Sequence, residues 1–254
     1  MSVFGLLNLG EGFKKHFEVV PALTPELQDE VFRIRHSVYC EELQFEPVRP
    51  NRRETDEYDA HSLHCLLRDI HNGEFIGCAR LIRERPGDPL YPLPFEKTCE
   101  TSLDRTIVDP KAMPRHSIGE VSRLAVLKAY RKRRGEDQHA LGFSNPFGDM
   151  KRPRFPYIPV GLYLGIIELA LRHGVNTIFV LTEPRLAAHF SRLGVKVIQI
   201  GAPVEHRGLR IPSMMDCRSI VDGLSFITRP LYRVIADEIH AHLRGDAGHA
   251  SAVA

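Results

Sequence analysis

The sequence contains no tryptophan, and the short motifs that most directly announce a chemistry are missing from it. There is no Gly-x-Gly-x-x-Gly, Walker loop, His-Glu-x-x-His or Gly-x-Ser-x-Gly, so dinucleotide, P-loop, zincin and serine-hydrolase signatures are all absent. No internal repeat is present. The five cysteines (Cys40, Cys65, Cys78, Cys99, Cys217) are odd in number, widely spaced and without a Cys-x-x-Cys pair. Reduced thiols in a cytoplasmic protein fit that pattern better than a disulfide framework or a zinc site. Met1 to Gly10 is a short apolar run with no basic flank, far below a membrane span. It is read as no signal peptide, with only weak membrane contact left open. His240, His242 and His249 show no third-ligand pattern, so no metal is expected.

What is present is unevenly placed. The net charge is only +2, yet Leu127 to Tyr157 holds eight Lys/Arg (Lys128, Arg131, Lys132, Arg133, Arg134, Lys151, Arg152, Arg154) against Glu136, Asp137 and Asp149. A local excess larger than the charge of the whole chain recruits something acidic: nucleic acid, a phosphorylated cofactor or an acidic protein. No aromatic stacking platform or groove-reading helix accompanies it, which argues against nucleic acid.

Just before this patch stands Gly119-Glu-Val-Ser-Arg-Leu-Ala-Val126, a strand by its β-favouring residues. Glu120 and Arg123 would face opposite ways in a regular strand, and a bulge between them would bring both charges to one side. A charged strand feeding a basic loop suits a phosphate-bearing substrate; a surface salt bridge on an edge strand is the competing reading.

Along the chain, His16 to Val20 reads as a first strand, and Thr24-Pro25 opens a helix whose stripe Leu27, Val31, Ile34, Val38 runs to about Leu43. Arg35 and Tyr39 adjoin that stripe. Glu54 to Asp59 carries four carboxylates in six residues, ordinarily a solvated acidic loop. Ser62 to Asp69 and Phe75 to Arg83 flank Asn72-Gly73 as a hairpin, and Arg80 in its second strand needs a carboxylate partner or solvent. Pro86 to Pro94 is a loop, with one or two helical turns between Phe95 and Leu103. After the long Pro/Gly-rich connection, Gly161 to His173 is a helix closed by Gly174 and Thr177 to Leu181 a central strand. Pro184 to Leu193 is a second helix, Val195 to Ile200 another strand, and Arg210 to Ile220 an antiparallel return. A last amphipathic helix starts near Pro230, before a frayed tail at residues 245–254. The alternation of strand and helix is an α/β signature.

This order resembles the GNAT fold of N-acyltransferases, a mixed central sheet flanked by helices. It implies one such domain over residues 1–244 with a basic, Pro-rich insert at 128–160. Individual residues resemble those of the acyl-homoserine-lactone (autoinducer) synthases. Arg35 and Tyr39 match an arginine with an aromatic four later, and Phe45 stands where tryptophan is common. Asp56 and Asp59 match paired aspartates, Arg80 a strand arginine and Phe95 a phenylalanine after the Pro-rich loop. Glu120, Ser122 and Arg123 match a Glu-x-Ser-Arg strand. The insert and C-terminal helix are closer to acyltransferases associated with PEP-CTERM/exosortase systems and to N-acyl amino acid synthases.

The resemblance implies transfer of a fatty-acyl group from an acyl carrier protein or CoA thioester to a small amine or amino-acid-like acceptor, with no bound cofactor. Glu120, Ser122 and Arg123 would be catalytic, and Arg35, Tyr39, Phe45, Asp56, Asp59, Arg80 and Phe95 would bind substrate. Amide formation needs a deprotonated amine, a polarised carbonyl and fixed reactants. Glu120 would take the proton, and backbone N–H groups beside Arg123 to Ala125 would hold the oxyanion. Arg131-Lys-Arg-Arg-Gly135 only partly matches the glycine-rich CoA loop of the GNAT fold, which favours an acidic carrier protein at the basic patch. A true lactone synthase or N-acyl amino acid synthase, and a non-catalytic carrier-binding module, remain as alternatives.

Overall fold

The structure is a computed structural model that describes residues 9–131, 157–184, 186, 190 and 195–252, with side chains as far as residue 245. After a short helix α1 (Leu9–Lys14) comes strand β1 (Phe17–Pro21), which leads to α2 (Pro25–Arg35). Thr24 caps α2 by accepting from the Leu27 N–H at 3.4 Å. The helix then widens without a break into a π-helical stretch, His36–Glu42, a form concentrated at functional sites. β2 (Ser62–Asp69) and β3 (Phe75–Ile82) make the expected hairpin, with Gly73 at φ 74°. A single turn of helix, α3 (Pro94–Thr98), precedes β4 (Ile118–Val126).

The second half supplies α4 (Tyr157–Arg172), β5 (Thr177–Thr182), β6 (Ile198–Gln199), β7 (Val204–Glu205), β8 (Leu209–Asp216), α5 (Cys217–Asp222) and α6 (Arg229–Ala252). Among the described residues the strands form one mixed sheet in the order β1-β2-β3-β4-β5-β8-β6, with β7 on β8. Helix α4 packs on β1 to β4 and against α6, while α2 covers β2 to β4 from the other side. The main core lies on the α4 face (Leu67, Ala79, Val121, Ile166, Ile178, Val180); smaller clusters under α2 and α3 fill the opposite face. No described helix is long and apolar enough to cross a membrane, and all five cysteines are buried free thiols.

β4 is therefore central and not an edge strand. Its bulge falls one step beyond Ser122: Arg80 pairs with Ser122 and Cys78 with Ala125, so Arg123 and Leu124 together face Ala79. Arg123 accordingly sits at φ 51°, a left-handed conformation unusual outside glycine, asparagine and aspartate.

Three boundaries differ from the sequence reading. The strand expected over Val195 to Ile200 keeps only Ile198–Gln199, the residues that find partners on β8. The strand expected to reach Ile220 stops at Asp216, whose carboxylate accepts from the Ser219 N–H at 2.6 Å and caps α5; that bond satisfies an otherwise orphaned helix donor. Helix α6 continues to Ala252 through much of the expected tail, where Ala247, Ala250 and Ala252 favour helix. The helix expected over Pro184 to Leu193 lies largely outside the described residues.

Candidate active site

The parallel pairing of β4 with β5 lasts only from Ile118–Thr177 to Glu120–Phe179. Beyond that point β5 pairs with β8 alone, out to Thr182. The sheet splits there, and a cavity of about 340 Å³ occupies the gap, lined by Glu120 to Leu124 from one strand and Val180 to Thr182 from the other. Side chains alternate across a strand, so the two faces of the split differ. Glu120 and Ser122 point toward α2, α3 and the acidic loop, whereas Val121 and Val180 point toward α4.

On the first face the acidic loop folds inward onto three arginines. Arg35 donates from Nε to Glu54 Oε2 at 2.5 Å and from Nη1 to Asp59 Oδ1 at 2.6 Å. Arg80 Nη1 reaches Asp56 at 2.6 Å and Asp59 at 2.7 Å, while its Nε donates to Ser122 Oγ at 3.1 Å. Arg123 holds Glu54 at 3.0 Å and extends to Glu46 and Asp56. The Asp59 carboxylate also accepts the Asp56 N–H at 2.7 Å. Three guanidinium groups thus face four carboxylates, Glu46, Glu54, Asp56 and Asp59, which lets charges this deep remain ionised. Burial pushes Glu54 up, but Arg35 and Arg123 outweigh it and hold the carboxyl at about 2. Asp59 is likewise held well below the usual range against its burial, through Arg35 and Arg80.

Glu120 has the opposite surroundings. It is 4% exposed, its Oε2 accepts the Phe95 N–H at 2.7 Å, and among the described residues no arginine pairs with it directly. Burial dominates, against the Phe95 N–H and the more distant Arg80 and Arg123, and pushes its carboxyl up to about 8. Such a group is poised to exchange a proton near neutrality.

The expected residues thus take distinct places. Tyr39, Phe45, Asp56, Arg80, Glu120, Ser122 and Arg123 line the cavity. The Tyr39 hydroxyl donates to the Leu124 carbonyl at 3.1 Å, and Arg123 stacks over its ring. Arg35 and Asp59 stand behind this wall: Arg35 is fully buried and holds Asp59 and Glu54 in place. Its guanidinium bonds into the network and lies over the Phe32 ring, and it does not line the cavity. Phe95 is also off the wall, its ring stacked on Phe179 at 4.4 Å while its backbone serves Glu120.

In the basic segment, Lys128 is exposed. Arg131 turns inward onto Glu42 and is buried, so a surface docking role for its side chain is corrected: the charge is spent within the fold. Lys132, Arg133, Arg134, Lys151, Arg152 and Arg154 lie outside the described residues. Of the C-terminal histidines, His240 pairs with Glu168 and His242 with Glu18.

Sequence reasoning missed Glu54 as the hub of the network, since an acidic loop is normally solvated. It also missed the β7–β8 hairpin, whose His206, Arg207 and Arg210 reach the cavity. Arg207 pairs with Glu46, and Arg210 with Glu183 at 2.5 Å. Only the positive φ of Arg207 and Gly208 (54° and 93°) marks that turn locally, and a basic Gly-containing turn is too common a signal to reveal it.

Residues 34–139 match the acetyltransferase (GNAT) domain family, and the split mixed sheet flanked by helices is that fold. No curated protein matches the chain in sequence. Among solved structures it is similar to TofI, in a ternary complex with an inhibitor and MTA: 21% identity, 80% of this chain and 96% of that one, TM-score 0.56. It is similar to MesI, a CoA-dependent acyl-homoserine lactone synthase, at 21% identity over 85% and 94% of the two chains, TM-score 0.55. FeeM, an N-acyl amino acid synthase from uncultured soil microbes, aligns at 16% identity over 84% and 97%, TM-score 0.53. At these identities the likeness is one of fold.

Proposed function

We propose that the protein is an N-acyltransferase, moving an acyl group from a thioester of an acyl carrier protein or CoA to a small amine. The observation that carries this reading is Glu120, a buried and proton-poised carboxyl placed where the sheet opens. In the reaction the amine nitrogen attacks the thioester carbonyl carbon, the C–S bond breaks, and the proton lost by the amine passes through Glu120 to the departing thiolate. With its carboxyl near 8, Glu120 is matched to an amine far better than an ordinary glutamate. The backbone of β4 beyond Glu120, unpaired on the β5 side, offers N–H groups to the developing oxyanion. Asp56 and the hairpin arginines would position an amino-acid-like acceptor, and the network behind Ser122 would keep that wall rigid.

MesI is named a CoA-dependent acyl-homoserine lactone synthase and FeeM an N-acyl amino acid synthase; this chain is read as sharing the acyl-transfer step. An acyl carrier protein as donor, a cytoplasmic setting and association with a PEP-CTERM/exosortase system belong to the same proposal, and the charge around Lys128 supports the first. Mass spectrometry of lipid extracts from overexpressing cells tests it. A new N-acyl amine, absent with Glu120→Gln, is expected; an unchanged lipid profile with folded protein, and no amide from carrier or CoA thioesters in vitro, would sink the reading.

A further inference from the structure

The last helix closes over a free edge of the sheet. Among the described residues β1 is an outermost strand and pairs with β2 alone, so its other edge carries backbone groups that invite a further strand. On that edge the Val19 N–H is accepted at 2.9 Å by Glu238 Oε2 from α6, 219 positions away. Pro21, two residues on, has no N–H to offer. A side-chain carboxyl thus stands where a neighbouring strand would place a carbonyl.

The two halves of α6 are held by different chemistry. Its first half is bound by apolar packing: Leu231, Ile235 and Ile239 are fully buried. There α1 comes so close that a Cβ at Gly10 would meet the Pro230 carbonyl and Val234 at 2.9 Å. The second half, apart from Leu243, reaches the body through titratable groups. His240 Nε2 lies 2.6 Å from Glu168 on α4, a carboxylate that Tyr232 and Arg172 also bond. Arg172 donates as well to His240 Nδ1 at 3.3 Å. His242 Nε2 lies 3.0 Å from Glu18 Oε1 on β1, and Arg68 on β2 binds the other oxygen of that carboxylate at 3.1 Å.

Glu18 and Glu238 are therefore two carboxyl groups on one seam with unequal company. The groups that face Glu238 are the Val19 N–H and Glu18 on β1, Lys14 on α1, and His242 on its own helix. Burial, against the Val19 N–H and with Glu18 adding repulsion, pushes the Glu238 carboxyl up to about 7. Glu18 is held below the ordinary range by its bond to His242, against its burial, and by Arg68.

We propose that the second half of α6 is a pH-operated clasp on the β1 edge, closed in mild acid and loosened at and above neutrality. The sign follows from linkage. Glu238 has a raised value, so its hold is complete below the ordinary 4.5 and lost as pH rises through about 7. Glu18 and Glu168 have depressed values, so their contributions hold steady above 4.5. Opening bares the Val19 N–H and the outer edge of β1. None of the clasp residues lines the cavity, so the clasp operates independently of acyl transfer.

Amide hydrogen exchange of the full chain, read by mass spectrometry from pH 5 to pH 8 and corrected for the intrinsic rate at each pH, tests the clasp. Protection of peptides over 17–21 and 238–245 should fall by about tenfold or more across that range, while peptides over 75–82 keep theirs. Glu238→Gln retains an acceptor for the Val19 N–H and removes the titration, so its protection should hardly change with pH. Glu18→Gln withdraws the repelling charge and should shrink the response, and it decides the matter if Glu238→Gln does not fold. Equal protection of α6 at pH 5 and pH 8, a loss shared equally by β3, or a folded variant of either kind that keeps the full wild-type response would overturn the clasp.

Discussion

Two glutamates of the site are buried to nearly the same degree, Glu54 at 1% and Glu120 at 4% exposure, and end at opposite extremes of ionisation. Glu54 is gripped by Arg35 and Arg123 and held at about 2, while Glu120 meets one backbone N–H and rises to about 8. Burial alone sets neither value; what differs is whether a guanidinium is within bonding distance. The network side of the wall spends its charge on shape. The Glu120 side keeps a proton in play.

The sharpest way to break this contrast is to remove the proton. Glu120→Gln preserves an acceptor for the Phe95 N–H and resembles the neutral acid already present near pH 7, so the variant should fold as the wild type. Its kcat should fall by about 10²–10⁴-fold. Near-normal turnover in a steady-state assay would assign Glu120 a structural role.

Glu54→Gln attacks the other side. It strips Arg35 and Arg123 of their shared carboxylate in a buried site, and breaking such a pair typically costs about 3–5 kcal/mol. Urea titration should show that loss. The pH dependence separates the two residues by sign. Glu54 has a depressed value, so its contribution is present above the ordinary 4.5 and lost as pH falls toward about 2. Glu120 has a raised value, so its contribution is complete below 4.5 and lost as pH rises through about 8. Glu120→Gln should therefore flatten the alkaline side of a stability–pH curve, and Glu54→Gln the acid side.

A smaller effect measures how far the network acts as a unit. Asp59 and Arg80 bond directly at 2.7 Å and both contact Asp56, while Asp59 also bonds Arg35. Asp59→Ala and Arg80→Ala should each destabilise the fold, and the double variant should cost less than their sum by about 0.5–3 kcal/mol. Strict additivity would show that the pair is adjacent without being coupled.

The two sides also differ in how readable they were. Thr24-Pro25, Asn72-Gly73 and Gly174 mark their elements because capping and turn chemistry are local. Glu120, Ser122 and Arg123 were legible because three polar residues interrupt a strand. Glu54 was not: its neighbours in sequence are Asp56, Glu57 and Asp59, and Arg123, which neutralises it, lies 69 positions away. Tyr163 and Phe190 line the cavity as well and were invisible as site residues, since aromatics among apolar neighbours read as core. The split itself has no sequence signal, being a place where two strands stop pairing. The short β6 was overextended because Val195, Val197, Ile198 and Ile200 are β-favouring, while only Ile198 and Gln199 pair in register with β8.

The smallest expected effect concerns what keeps Glu120 in its place. The Phe95 N–H that binds it belongs to α3, and α3 is anchored by Glu96, which accepts from the Leu93 N–H and from Arg115 at 2.8 Å each. Arg115 also donates to the carbonyls of Pro89, Pro110 and Tyr91, tying the Pro-rich loop to the same point. The charges that Glu120 feels are Arg80 and Arg123 from the sheet and Glu96 from α3, with the Cys99 thiol also close by. Arg115 is not among the largest of them, so its substitution reaches Glu120 chiefly through Glu96 and the position of α3. Arg115→Lys keeps the charge beside Glu96 and gives up the fork that holds three carbonyls. A longer Phe95–Glu120 bond withdraws stabilisation from the carboxylate, so the acid limb of the kcat–pH profile should move to higher pH by about half a unit to one unit. KM should stay nearly constant. A merely structural Arg115 would lower thermal stability and leave that limb in place, so the position of the limb, and not the loss of activity, is the quantity to measure.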